Sequence, residues 1–160
     1  MKTVVLLSCV ATKAPTPQPA EQLYQSPLFE KSLAYGKSLH PDDMFILSAK
    51  HYLLPLQKVI APYNKTLNEM DADQKKEWSE QIVRMLKQHG FNPERDKFII
   101  LAGSSYRKYL EPMLKNVEVP VEGLRIGQQM QWYNKQLKKI KETVNQIKTI
   151  IYEAIRKSFK

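Results

Sequence analysis

The chain has one cysteine, Cys9, in 160 residues. No intramolecular disulfide can form, and a reducing, cytoplasmic setting is expected. It has five glycines, and none falls into the Gly-x-x-x-x-Gly-Lys-Ser/Thr phosphate loop or the Gly-x-Gly-x-x-Gly dinucleotide fingerprint. The Gly-x-Ser-x-Gly elbow of a serine hydrolase is absent as well. The three histidines, His40, His51 and His89, stand far apart. With no Cys-x-x-Cys or His-Glu-x-x-His, neither a metal nor a cofactor is expected. No segment approaches the ~20 apolar residues of a membrane span, so no membrane partner is expected. The opening Met1–Val10 superficially looks like a signal peptide. Its apolar run is short and no small-residue cleavage site follows, so a buried strand is expected.

What is present fits one domain with one core, which at this length buries roughly 70% of its unfolded surface without staples. The formal charge of +9 is concentrated at one end. From Arg125 onward nine basic residues face only Glu142 and Glu153, so this stretch carries +7 of the total. A basic surface attracts phosphates, and a solvated helix face produces the same count.

Lys2–Val10 reads as a central strand covered on both faces. Pro15, Pro17 and Pro19 make Ala14–Ala20 an extended loop without helix or ladder bonding. Ser26 and Pro27 form an N-cap and first helical position; Leu28, Phe29, Ser32, Leu33 and Leu39 fit the buried side of that helix. Met44–Ala49 is the second strand. Lys50–Asn68, with Pro55 and Pro62, is expected to lack regular structure for much of its length. A helix starts at Asp71 or Asp73, shows an apolar stripe of Trp78, Ile82, Met85 and Leu86, and ends at Gly90. Lys97–Leu101 is the third strand. Gly103-Ser104-Ser105 then turns into a helix through about Lys115, with Ser104 or Ser105 as its cap. Val117–Val121 is a short fourth strand, which Pro120 places at an edge or an end. From about Gln128 one long helix follows. Leu137, Ile140, Val144, Ile147, Ile151 and Ala154 step by three and four along it, either to pack on the body or to join a second copy.

The expected fold is therefore α/β: a mostly parallel four-stranded sheet with helices on both faces and a long C-terminal helix. Residues 1–127 form the α/β domain, and 128–160 a basic helix packed on it or on a partner subunit. In open sheets of this kind ligands bind beyond the carboxyl ends of the strands. Three polar loops should meet there: Ser8-Cys9 to Lys13, Ser48 to His51, and Gly103 to Tyr106.

At that rim Lys13 and Lys50 offer point charges for phosphate or carboxylate, and His51 can exchange a proton near neutral pH. Lys50, His51 and Cys9 are the candidate catalytic groups. Cys9 reads either as a small buried residue or as a nucleophile activated by Lys13 or Lys50. The backbone at Gly103 and Ser104 could receive an anion. Tyr24, Tyr63 and Tyr106 could stack on a base or simply pack their loops. Ser8, Ser26 and Ser48 complete the candidate substrate-binding set.

Several segments look familiar together: Ser8-Cys9 with Lys13, Leu23 to Phe29, Leu47 to His51, Pro62 to Leu67, Leu101-Ala102-Gly103 with Tyr106, and Pro120 to Gly127. In this order they resemble a bacterial and phage family of unknown function that is loosely similar to the YaaA peroxide-stress proteins. The resemblance covers about Val4 to Trp132. It implies kinship with uracil-DNA-glycosylase-like folds and with domains attached to tRNA-guanine transglycosylase-type enzymes, hence nucleobase, nucleotide or nucleic-acid chemistry. Many members carry Gly where this chain has Tyr52, which brings a bulky side chain to a backbone turn that glycine permits. Two functions are expected to compete. One is a nucleobase-, nucleoside- or nucleotide-processing enzyme, a glycosidase or base-transfer enzyme acting at an N-glycosidic bond. The other is a non-catalytic binder of a small nucleotide, DNA or tRNA. A homo-oligomer through the last helix is a third, structural reading.

Overall fold

The computed structural model describes residues 1–160. Strands β1 (Thr3–Ser8), β2 (Gln18–Pro19), β3 (Asp43–Ser48), β4 (Tyr52–Pro55), β5 (Val59–Ile60), β6 (Lys97–Leu101) and β7 (Asn116–Glu118) alternate with helices. The helices are α1 (Ala20–Leu23), α2 (Pro27–Ser38), α3 (Ala72–Gln88), α4 (Ser104–Arg107) and α5 (Ile126–Ser158). One sheet has the order β4-β3-β1-β6-β7. The three pairings among β3, β1, β6 and β7 are parallel, and β4 runs antiparallel to β3 at the edge. The architecture is the expected α/β one, with five strands rather than four.

The sheet separates two apolar layers. Val4, Leu6, Phe45, Leu47, Phe98 and Ile100 face α3 with its Trp78, Ile82 and Leu86. Val5, Leu7, Ile46, Ile99 and Leu101 face the other way, toward Phe29 of α2 and Tyr133 of α5. This two-sided burial is why the central strands read as unbroken apolar runs rather than alternating ones. Gly36 lets α2 lie close to the sheet, because a Cβ there would come within 2.6 Å of Met44 Cε and 3.0 Å of Val5 Cγ1. Asp96 ties the strand starts together by accepting from the backbone N–H groups of Asn92 (2.7 Å) and Lys2 (2.9 Å). These bonds hold its carboxyl below the usual range.

The helix starts follow their local chemistry. Ser26 Oγ accepts from the Phe29 N–H at 3.0 Å, with Pro27 in the first turn. Asp71 and Gln74 form a reciprocal capping box on α3.

Several expectations are corrected. Lys50–Asn68 lacks regular structure for much of its length, as expected, but Tyr52–Pro55 within it adds the fifth strand, and Val59–Ile60 pairs with Gln18–Pro19. Pro19 can sit there because this ladder is two residues long and needs few donors. Tyr52 opens β4 at φ 61°, so the chain makes the left-handed turn with a tyrosine in it. The helix after Gly103 is a single turn, ending well before Lys115, and Glu111–Met113 continues as a 3-10 turn. Pro112 lacks the N–H and restricts Glu111, so an α-helix cannot run through it. Gly103 is that helix's N-cap, and no serine side chain caps it. β7 stops at Glu118, before Pro120, rather than at Val121. Leu39 is exposed rather than on the buried side of α2.

Candidate functional site

The parallel pairing puts the carboxyl ends of β1, β3 and β6 side by side. Ser8 lies in register with Leu47, and Leu7 with Leu101. The Cys9 N–H donates to the Leu47 carbonyl at 3.2 Å, carrying the β1 end one residue further along β3. From β1 the chain crosses to β3 on one side; from β6 it goes to β7 on the other. The crevice between β1 and β6 is therefore the point where the strand order reverses, the preferred ligand position of open α/β sheets.

A cavity of about 300 Å³ occupies that crevice. Ser8, Cys9, Gly103 and Tyr106 line it from the strand ends, as does Ser105. Opposite them stand Phe29 and Ser32 of α2, and Gln129 and Tyr133 of α5. Thr66 and Asn68 close it from the segment before α3. No Lys, Arg, Asp, Glu or His is among the lining residues. Tyr106 provides part-exposed aromatic surface, with the buried Phe29 and Tyr133 rings behind the wall, while Asn68 and Gln129 provide amides that both donate and accept. Cys9 Sγ and Tyr106 Oη are 3.0 Å apart. The Tyr106 ring packs edge-on against Trp78 of α3 at 5.8 Å, and burial pushes its hydroxyl pKa up.

Beside the cavity, a second group gathers around Tyr63. Tyr63 Oη bonds Tyr24 Oη at 2.6 Å and Ser48 Oγ at 2.7 Å. Ser48 Oγ also accepts from the His51 N–H at 3.0 Å. Trp78 Nε1 holds the Ser48 carbonyl at 2.9 Å, so α3 supports both groups. Lys13 Nζ sits over the Tyr63 ring at 4.4 Å and the Tyr24 ring at 5.7 Å, and donates to the Ala11 carbonyl at 3.2 Å. Lys50 Nζ approaches the Tyr63 ring at 5.8 Å, and the His51 ring meets it edge-on at 5.3 Å.

The electrostatics follow from this crowding. Burial lowers the Lys13 pKa, and Cys9 is near enough to pull it partly back. Burial, then repulsion from Lys50 and Lys58, lowers that of His51, which favours the neutral ring. Burial outweighs the hydrogen bond from Tyr63 and pushes the Tyr24 hydroxyl up to about 12. Tyr63 is raised for the same reason. At neutral pH this is a chain of un-ionised hydroxyls, with the Lys13 and Lys50 side chains over its aromatic face.

The structure thus distributes the sequence-predicted residues over two adjoining groups. Ser8, Cys9, Gly103 and Tyr106 line the cavity. Lys13, Tyr24, Ser48, Lys50, His51 and Tyr63 form the neighbouring cluster, with Trp78 touching both groups through Tyr106 and the Ser48 carbonyl. Ser26 serves as the α2 cap. Ser104 borders a separate polar cleft with Lys75, Arg107 and Lys108.

Sequence reasoning missed Phe29, Ser32, Thr66, Asn68, Gln129 and Tyr133 as lining groups. One signal was available: Phe29 and Ser32 share a helix face, as do Gln129 and Tyr133. Arg107 was also missed. It is 8% exposed, donates through Nε to the Ala102 carbonyl at 3.0 Å, and pairs with Glu111 at 2.9 Å. It therefore braces the Ala102–Gly103 backbone behind the cavity. No three His, Cys, Asp or Glu stand together as a metal-binding group, and no helix is long and apolar enough to cross a membrane.

The sequence model of a family of unknown function, DUF6884, matches residues 4–135, and the chain belongs to that family. Neither the curated proteins nor the solved structures contain a match.

Proposed function

For this member of a family of unknown function, we propose that the β1–β6 crevice binds a nucleobase or nucleoside and that the protein processes it. The observation that carries the reading is the lining: aromatic and aliphatic side chains and amides with no formal charge, in a cavity at the strand-reversal point. A base is planar, neutral and edged with donors and acceptors. The part-exposed Tyr106 ring and the apolar wall backed by Phe29 and Tyr133 match its faces, and Asn68 and Gln129 match its edges. A volume of about 300 Å³ is at the small end for ligand cavities and suits a base better than a dinucleotide. Lys13 and Lys50, in the adjoining cluster, would meet a phosphate carried by the same ligand. A kinship with YaaA-like proteins and a bacterial or phage setting belong to the same proposal.

In the enzymatic form the protein acts at an N-glycosidic bond, and Cys9 is the one strong nucleophile in the cavity. His51, held neutral, is the group able to take up a proton at the neighbouring cluster. The second reading, a binder without turnover, is favoured by a different observation. The lining holds no carboxylate to protonate a leaving base or stabilise an oxocarbenium ion.

Titration calorimetry with free bases, nucleosides and mononucleotides tests binding. Chromatography of the same mixtures, and of DNA and tRNA incubated with the protein, tests turnover. Binding that is lost in Asn68→Ala and Tyr106→Ala supports the reading. Base release that disappears in Cys9→Ser selects the enzyme, and binding without release selects the binder. No heat and no product across the panel rejects both.

A further inference from the structure

We propose that the outer half of α5 is a self-association surface, occupied by the same stripe of a second copy running antiparallel. α5 is 33 residues long, about 50 Å. Only its first turns are packed. Tyr133 is 1% exposed, Trp132 meets Tyr35 edge-on at 4.9 Å, and Asn134 accepts from Lys31 at 2.6 Å. From Lys141 to the end every residue except Glu153 is exposed.

The stripe continues past the point where the body ends. Tyr133, Leu137 and Ile140 face the body; Val144, Ile147, Ile151 and Ala154 extend the same alternation of three and four. Val144, Ile147, Ile150, Ile151 and Ile155 are 42 to 68% exposed. A contiguous apolar strip of this kind marks an interface, and an unsupported helix end of this length is marginal in water.

The chain's own shape selects the arrangement. The body covers the stripe side of α5 to about Ile140, so a helix lying parallel would run into it. An antiparallel partner places its body beyond the free tip and meets no such obstacle. Pairing about the middle of the free stretch sets Ile147 against Ile151 and Val144 against Ala154, a large residue facing a small one. On one flank Ile150 meets Ile150 and Thr143 meets Lys157. On the other Lys141 lies along Ile155, and Lys148 meets its own copy. That single like-charge contact can splay into solvent along its stems. The free 20 residues span about 30 Å and would cover on the order of 600–800 Å² per copy, close to a stable interface. Lys138, Arg156 and Lys160 lie on the opposite side of the helix and stay solvated. A nucleic acid drawn to those bases would leave the isoleucines uncovered, and a lipid surface on the isoleucines would leave those bases pointing away from its headgroups.

Sedimentation velocity of the full chain over a concentration series tests the proposal. The expected result is a monomer–dimer equilibrium that tightens as salt rises, because Lys148 repulsion is screened. Ile147→Lys with Ile151→Lys should shift it to monomer while the thermal midpoint of the α/β body persists, and Lys148→Leu should tighten it at least several-fold. A wild type that stays monomeric at every concentration overturns the proposal. A dimer that survives the double lysine variant does so too, as does association seen only with added DNA or anionic vesicles.

Discussion

At the residue scale, the two groups at the rim differ in what they cost the fold. Lys13 is held over two rings and partly desolvated, so its charge is disfavoured by the folded state at neutral pH. Replacing it removes that penalty. Lys13→Met should leave the urea midpoint unchanged or raise it, while weakening any ligand that carries a phosphate. A loss of more than about 1 kcal/mol would instead make Lys13 a structural residue. Tyr63 is the opposite case. Its hydroxyl is shared by Tyr24 and Ser48, so Tyr63→Phe should cost about 1–2 kcal/mol through two buried partners left short of a bond. His51 gives the pH dependence. Its folded pKa lies below the ordinary ~6.5, so the folded state resists protonation. Its contribution is fully present above ~6.5 and is lost as pH falls through that value toward the folded pKa. His51→Gln should therefore narrow the stability difference between about pH 7 and pH 5, read from denaturant midpoints at each pH. An unchanged difference would mean that the ring is not desolvated.

At the element scale, two elements beside the site, β4 and α4, are the ones that local sequence described least well. The parallel strands β1, β3 and β6 were legible because double burial leaves continuous apolar runs, and α2 and α3 because Ser26-Pro27 and Asp71 are strong start signals. β4 was not legible. Tyr52-Leu53-Leu54-Pro55 is short, ends in proline, and depends on Tyr52 taking a left-handed φ that its side chain disfavours. Only pairing with β3 justifies it. Replacing Tyr52 by Ile puts a β-branched residue at that φ and should cost about 1–3 kcal/mol. The α4 turn is similar. Its shortness follows from Pro112, but Arg107, which anchors it to the Ala102 carbonyl, gave no local sign of burial. Arg107→Ala should destabilise by about 1–3 kcal/mol and lower ligand affinity by loosening the Gly103 backbone. Arg107→Lys should not restore either, since a lysine cannot reproduce the forked geometry.

At the scale of the whole molecule, the strand order decides where chemistry can occur. Ser8, Cys9, Gly103 and Tyr106 were legible as site residues because strand ends in a parallel sheet share an edge. Asn68, Gln129 and Tyr133 were not, because each reaches the cavity from an element whose docking is set by tertiary packing. The same packing separated Lys13, Lys50 and His51 from the lining and collected them around Tyr63. The proposed function therefore rests on the crevice between β1 and β6 as the ligand position. A two-dimensional NMR titration of the labelled protein with a nucleoside reads it most directly. The predicted result is saturable shifts at the backbone amides of Cys9 and Gly103 and at the side-chain amides of Asn68 and Gln129. Saturable shifts confined to the outer half of α5, or to the Ser104 cleft, would contradict it.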